Sequence, residues 1–176
     1  MNGIDYLCMA MIKVLRIASY LYARYYNDYK VAIDEMKLHK LLYFVQRESL
    51  VSLNKPAFTE AIQAWKFGPV VTVVHNKYTK GLINDQCRSA DFGEFKPIID
   101  RVYNAYSSKD SWTLSLISHE EYSWRQARVG IPADMNSINE LKLEDIAIDA
   151  ARIKTRRALL ESYLGISTSD HESSMA

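Results

Sequence analysis

Cysteine, glycine and proline are scarce in this chain, and its net charge is close to zero. Its 176 residues include two cysteines, six glycines and four prolines, and 22 basic side chains stand against 21 acidic ones. Cys8 and Cys87 form no CxxC motif and no pairing pattern, which predicts two reduced thiols and leaves a structural disulfide as the alternative. A net charge of +1 excludes a chain-wide electrostatic footprint for nucleic acid or an anionic membrane, although a local patch stays possible.

The N-terminus lacks the pattern of a signal peptide. Asp5 is the first charged residue, so a basic leading region is missing, and Lys13 and Arg16 interrupt the apolar stretch that follows. No apolar run approaches the ~20 residues that a membrane helix needs. We therefore expect a cytoplasmic protein with no membrane contact.

Patterns that carry catalysis are also missing. The four histidines have no ligand spacing, so a metal site would have to be assembled by the fold alone; they are His39, His75, His119 and His171. There is no nucleophile elbow and no phosphate-binding loop. The acidic pairs Glu120-Glu121 and Glu144-Asp145 are neighbours in sequence, and neighbours on a helix point in different directions. The prediction is a protein that is not an enzyme, with no catalytic residue, no cofactor and no metal.

What the chain does have is helical periodicity within a hydrophobic content of 48%. Apolar residues spaced three and four apart predict a mainly α fold, a compact multi-helix single domain with a short two-stranded β element. The expected helices run from near Asp5 to Tyr25, from the Asp34 cap to Leu53, from Phe95 to Tyr106 with Pro97 in its first turn, from Asp110 or Ser111 through Leu116, from Glu120 to Arg128, and from Glu144 to Leu164. We expect Ile146, Ala150, Ile153 and Leu160 to face inward, with Gly165 as the stop.

Three features of the sequence leave alternatives open. Phe58 to Trp65 alternates weakly and predicts a short strand, but the β-branched residues 70–74 follow a Gly68-Pro69 pair in which proline would suit a helix start. The basic cluster of Arg152, Lys154, Arg156 and Arg157 is either a solvated helix face or a contact for phosphate or an acidic protein. Trp65, Trp112 and Trp124 stand beside polar residues and are either core residues or interface anchors.

Three ordered sequence blocks resemble one known family. The segment 36–46, MKLHKLLYFVQ, is similar to a "KLqKLLYfaQ" signature, and Phe58 to Val71 matches an "F-x-E-x-I-x-AW-x-x-GPV" block. Leu116 to Arg128 resembles "L-x-TH-x-x-x-PW-x-x-AR", and Leu141 to Ile146 lies where a short "IS-x-E-x-I" segment is usual. The chain is thus similar to the Panacea domain family of SocA-like antitoxins and GepA-type phage-associated proteins. Ser123 replaces a usual proline, and His75 stands where tyrosine is common.

The resemblance spans about residues 9–165, so we predict a domain over residues 1–165, and it supports a helix that starts at Pro69. The Ser-, Asp-, His- and Glu-rich residues 166–176 predict a flexible tail. The resemblance implies an antitoxin that neutralises a protein toxin, encoded by an adjacent gene, by direct contact. The residues it marks as partner-binding or site-shaping are Lys40, Trp65, Lys66, Gly68, Pro69, His119, Trp124, Arg125 and Arg128. The alternatives are a prophage or mobile-element regulator or adaptor that binds a host protein, nucleic-acid binding through Arg152 to Arg157, and a hydrolase that uses His119 and Glu120.

Overall fold

The computed structural model describes residues 13–83 and 89–165. Within them lie seven α-helices, a 3-10 helix over Ser89–Phe95 and one two-stranded sheet, so the mainly α prediction with a minor β element is confirmed. In chain order the elements are α1 Val14–Tyr29, α2 Glu35–Leu53, β1 Ile62–Trp65, β2 Gly68–Val71, α3 Thr72–Tyr78, α4 Lys96–Tyr106, α5 Ser111–His119, α6 Tyr122–Ala127 and α7 Leu143–Leu164. The expected helix start near Asp5 and the tail over 166–176 lie outside the described residues.

Helix α2 is the central element of the fold. It packs against α1, α4, α5, α7 and β2, and residues on all of its faces are buried, as befits a helix enclosed by other elements. Asp34 caps its first turn as predicted, because the Asp34 carboxylate accepts a hydrogen bond from the Lys37 amide at 2.9 Å. Even the polar residues of this helix, including Lys37, His39 and Lys40, are therefore interior groups that need partners.

Strands β1 and β2 form an antiparallel hairpin, and the predicted helix start at Pro69 is wrong. Pro69 lies inside β2 opposite Ala64, and α3 begins only at Thr72. The Ala64 amide donates instead to the carbonyl oxygen of Asn139 at 2.8 Å, on the other side of β1. Ala64 and Pro69 therefore face each other without a hydrogen bond between their backbones, so the missing amide proton of proline costs nothing there. The β-branched residues that follow can then extend the strand.

The last helix confirms its predicted extent but not all of its predicted burial. Ile146 and Ala150 are buried, whereas Leu160 is 50% exposed, so its predicted inward orientation is wrong. The buried positions of α7 fall in its first two turns, where it packs on α2 and α6. Its later turns extend beyond the core and leave Leu160 without a layer to cover it. Among residues 13–83 and 89–165, no helix is both long and apolar enough to cross a membrane.

Candidate partner-binding site

A pocket of about 300 Å³ lies between the start of α2 and the hairpin. We call it the hairpin pocket. Helix α2 contributes Glu35, Met36, His39 and Lys40, the hairpin contributes Trp65, Lys66, Phe67 and Val70, and His75 of α3 and Asn136 complete the lining. Its walls are mainly apolar, and two lysines and one glutamate carry its formal charge. The pocket therefore suits a group with an apolar body and one polar end.

Lys40 is a buried lysine with few hydrogen-bond partners. Its side chain is 1% exposed, and its ammonium donates one hydrogen bond, to the carbonyl oxygen of Pro69 at 3.3 Å. No carboxylate of the described residues lies within 4.0 Å of this ammonium. Burial lowers the pKa of Lys40 to about 7, against a smaller opposing effect from Asp34. An ammonium offers three donors, so most of its donor capacity is unused.

Gly68 is required by the packing of Lys40. Its φ of +105° lies in a region that residues with a side chain rarely adopt. A Cβ at this position would lie 2.5 Å from Cε of Lys40 and 2.6 Å from Oγ of Ser118. The absence of a side chain at Gly68 thus both permits the hairpin turn and leaves room for the lysine.

Glu35, His39 and His75 form a cluster at the pocket wall. The Val71 amide donates to Nδ1 of His39 at 3.3 Å, so in the neutral ring the proton is on Nε2, which lies 3.4 Å from Oε1 of Glu35. Nδ1 of His75 lies 2.5 Å from the same oxygen. Burial lowers the pKa of His39, and the His39 hydrogen bond leads the effects that lower the pKa of Glu35. The cluster is a glutamate that accepts from two histidines.

The same three side chains have their ligand atoms within 4.8 Å of one another, a separation compatible with a metal ion. The fold therefore brings together three possible metal ligands that the spacing of the histidines in the sequence did not indicate. A metal on Nε2 of His39 would, however, require a proton on Nδ1, which would then face the amide proton of Val71. Two donors would point at each other, so this hydrogen-bond arrangement does not fit a metal site, and the absence of a metal stays a prediction.

Arg128, Trp124 and His119 hold the hairpin in place. Arg128 is buried and donates to the carbonyl oxygens of Ala64, Pro132 and Met135 at 2.8–2.9 Å. Nε1 of Trp124 donates to the Trp65 carbonyl oxygen at 3.0 Å, and the His119 ring stacks on the Trp124 ring with centroids 4.0 Å apart. Arg128 thus supports the hairpin from inside, whereas Trp124 and His119 are half-buried.

The remaining marked residues lie nearer the surface. Trp65 is half-buried and donates from Nε1 to Oε1 of Gln63 at 2.9 Å. Lys66 is also half-buried, and its ammonium lies 4.7 Å from the centroid of the Phe67 ring. Arg125 is exposed, and its one ion pair is with the exposed Glu120 at 3.9 Å. Of the nine marked residues, four are buried, four are half-buried and Arg125 is exposed.

Three apolar side chains form an exposed patch beside the pocket. Phe67, Trp112 and Leu116 are 45%, 61% and 66% exposed, and the Phe67 and Trp112 rings meet edge to face at 5.5 Å. We call this the hairpin-tip patch. Sequence reasoning weighed Trp112 but did not select it, and it missed Phe67 and Leu116. The available signals were the place of Phe67 in the two-residue turn and the i, i+4 spacing of Trp112 and Leu116.

Two arginines of the basic cluster of α7 make contacts with other residues of the protein. Arg157 donates through both terminal nitrogens to the Glu48 carboxylate, at 2.6 and 2.8 Å. The Arg152 guanidinium lies 5.2 Å from the centroid of the Tyr122 ring and 3.9 Å from Asp149. These contacts favour a structural role for this face over a phosphate contact.

Comparison with known proteins agrees with the sequence blocks. The chain is 39% identical over 49 residues to "Antitoxin SocA" of Caulobacter vibrioides (strain NA1000 / CB15N), a match that covers 28% of this chain and 26% of that protein. The chain thus matches only about a quarter of the length of this relative. No solved structure matches the chain. The model of the family "Antitoxin SocA-like, Panacea domain" matches residues 38–125, half of the chain, and the protein therefore belongs to this family.

Proposed function

We propose that this protein is an antitoxin that neutralises a protein toxin, encoded by an adjacent gene, by binding it directly in the cytoplasm. It acts as a binding protein and turns over no substrate. Family membership supports the antitoxin role in general. The observation that carries direct binding is the hairpin-tip patch, which exposes three large apolar side chains within the family region.

The hairpin-tip patch has the composition of an interface centre. Aromatic residues and arginine contribute most to binding energy at protein interfaces, and a paired Phe and Trp supply large, rigid contact area. The Ser115 hydroxyl donates to the Phe67 carbonyl oxygen at 2.8 Å, which fixes the turn against α5 and holds both sides of the patch in register. A preorganised surface loses little conformational entropy on binding.

The test is co-expression with the product of the adjacent gene. We expect the wild-type chain to restore growth that this product inhibits, and the two proteins to co-purify. Trp112→Ala should abolish rescue and weaken the complex by at least about tenfold, since a central aromatic anchor contributes roughly 2 kcal/mol or more. Tyr163→Ala is the matched control, because Tyr163 is an aromatic residue of α7, 90% exposed and outside the family region.

Two results would contradict the proposal. A neighbouring gene product that is harmless when expressed alone would exclude the antitoxin role and favour the regulator or adaptor that binds a host protein. Rescue that survives Trp112→Ala but fails with Tyr163→Ala would move the interface to the exposed face of α7.

A further inference from the structure

We propose that the hairpin pocket receives an acidic side chain of the bound partner, whose carboxylate pairs with the ammonium of Lys40. This inference rests on the proposed function and names the chemistry that the partner must present. Four features support it: the unused hydrogen-bond donors of Lys40, the charge of the pocket, its shape, and its continuity with the hairpin-tip patch.

The first step is a comparison of two buried lysines on the same helix. The Lys37 ammonium donates to the Tyr25 hydroxyl at 3.0 Å and the Ser107 carbonyl oxygen at 3.1 Å, and it lies 4.8 Å from the centroid of the Tyr25 ring. Lys40, one turn further along, is more deeply buried, and within residues 13–83 and 89–165 it donates to the Pro69 carbonyl oxygen alone. A buried ammonium without an anionic partner is unfavourable, so the group that would stabilise it is a carboxylate from outside the described structure.

The second step is the charge balance at the pocket. With Lys40 protonated, Lys40 and Lys66 contribute two positive charges to the lining, and Glu35 contributes one negative charge. Glu35 does not neutralise Lys40, because its Oε1 is held between His39 and His75 and lies outside ion-pair distance of the lysine. The pocket therefore offers a net positive charge to an incoming anion.

The walls and the volume of the hairpin pocket also suit an acidic side chain. Trp65, Phe67, Val70 and Met36 give the pocket apolar walls, and its volume of about 300 Å³ accommodates one or two side chains of a partner. Apolar walls suit the methylene stem of a glutamate or aspartate, and the lysine suits its end. A basic side chain would be repelled by the lysines of the lining and would face hydrogen-bond donors instead of acceptors, so it is the wrong occupant.

The fourth step is continuity. Phe67 belongs both to the lining of the pocket and to the hairpin-tip patch, where it meets Trp112. A partner seated on the patch therefore lies directly beside the pocket mouth. The occupant to which we commit is an acidic side chain of that partner, placed next to apolar residues that cover Phe67 and Trp112.

The experiment measures the dissociation constant of the complex between the purified chain and the adjacent gene product by calorimetry. Lys40→Met keeps the length of the side chain and removes its charge, and we expect it to weaken binding at least tenfold. Lys37→Met is the matched control, because it removes a buried lysine of the same helix outside the pocket lining, and it should bind within about threefold of wild type. Melting temperatures of both variants report on folding.

A second arm keeps the proposal falsifiable if Lys40→Met does not fold. Each exposed aspartate or glutamate of the partner is replaced by asparagine or glutamine, and one replacement should reproduce the tenfold loss. In a double-mutant cycle with Lys40→Met its effect should be far from additive, which identifies the paired residue.

Three outcomes would overturn the inference. They are wild-type affinity of a folded Lys40→Met variant, a partner in which no acidic residue matters, and sub-millimolar binding of free glutarate to the chain, which would assign the pocket to a small carboxylate. A wild-type chain that forms no complex at all would instead contradict the proposed function, so the two failures are distinguishable.

Discussion

The contact between Gly68 and Lys40 is the tightest steric constraint at the site. Gly68→Ala would place a methyl group against Lys40 and Ser118 at a φ of +105°, and we expect it to lower the free energy of unfolding by about 2–5 kcal/mol. The measurement is urea unfolding. Gly130→Ala is the matched control, because Gly130 also has a positive φ, of +79°, but its added Cβ would meet nothing within 4 Å. A loss of about 1 kcal/mol is expected there, and equal losses at both positions would contradict the steric account.

Lys40 should also make folding stability depend on pH. Its pKa is about 7 in the fold and 10.5 ordinarily, so between these values the unfolded chain binds more protons than the folded chain. Stability of the wild-type chain should therefore rise with pH across this window, and Lys40→Met should lack this component. Denaturant unfolding of both proteins at about pH 7 and about pH 10 measures the difference. Parallel pH profiles for the two proteins would show that Lys40 has an ordinary pKa.

At the residue scale, the sequence blocks do not distinguish buried from exposed positions. Arg128 is a charged residue, yet it is buried and donates to three backbone carbonyl oxygens, those of Ala64, Pro132 and Met135. Arg125, three residues away, is exposed. Periodicity cannot separate the two, because α6 has only six residues and ends before Arg128, and the orientation of this segment is set by contacts with the distant Ala64 and Trp65.

At the element scale, α6 is capped by a residue of another helix. The Asp149 carboxylate of α7 is buried and accepts from the amides of Tyr122 and Ser123, at 2.7 and 2.9 Å, and from the Tyr43 hydroxyl at 3.3 Å. Ser123 thus supplies an amide donor where the family usually has proline. A proline at this position could not make this hydrogen bond, because it has no amide proton.

Removing this carboxylate should uncouple three helices. We expect Asp149→Ala to lower the free energy of unfolding by about 3 kcal/mol, because charge-assisted hydrogen bonds to buried amides are lost. Glu144→Ala is the control on the same helix, since Glu144 is exposed in the first turn and its removal should change stability by less than about 1 kcal/mol. Thermal or urea unfolding measures both, and a loss at Asp149 no larger than at Glu144 would contradict the capping role.

Element boundaries were predictable where local signals agreed. The Asp34 cap and the apolar stripe gave the start and end of α2 to within a residue. The segment after Gly68 was not predictable from local signals. Proline suits the first turn of a helix, but it also suits a strand position whose amide makes no hydrogen bond to the neighbouring strand. The hairpin register, which pairs Trp65 with Gly68 and Ala64 with Pro69, creates that position, and the Ala64 amide is satisfied by Asn139, 75 residues away in sequence.

At the scale of the whole molecule, charge and apolar surface are distributed unevenly although the net charge is only +1. Exposed apolar side chains gather at the hairpin tip and along the end of α7, where Ile148, Leu159 and Tyr163 line a shallow groove. The hairpin-tip patch was beyond sequence reasoning because it joins a turn to a helix more than 40 residues later. Bulk composition averages over such features and cannot locate them.

The same distribution predicts that the chain does not bind nucleic acid in a salt-dependent way. Arg157 is held by Glu48, and Arg152 lies between Asp149 and Tyr122, which leaves Lys154 and Arg156 of the cluster for phosphates. Neutralising two phosphates gives a weak salt slope, whereas six or more contacts cost about 10³-fold in affinity between about 50 and 200 mM salt. Fluorescence anisotropy with labelled duplex DNA and single-stranded RNA should show little binding at either salt concentration. Tight binding at low salt that is lost steeply with added salt, and lost also in an Arg156→Ala variant, would show that α7 is a nucleic-acid contact, because only a cluster free of internal partners can release that many counterions.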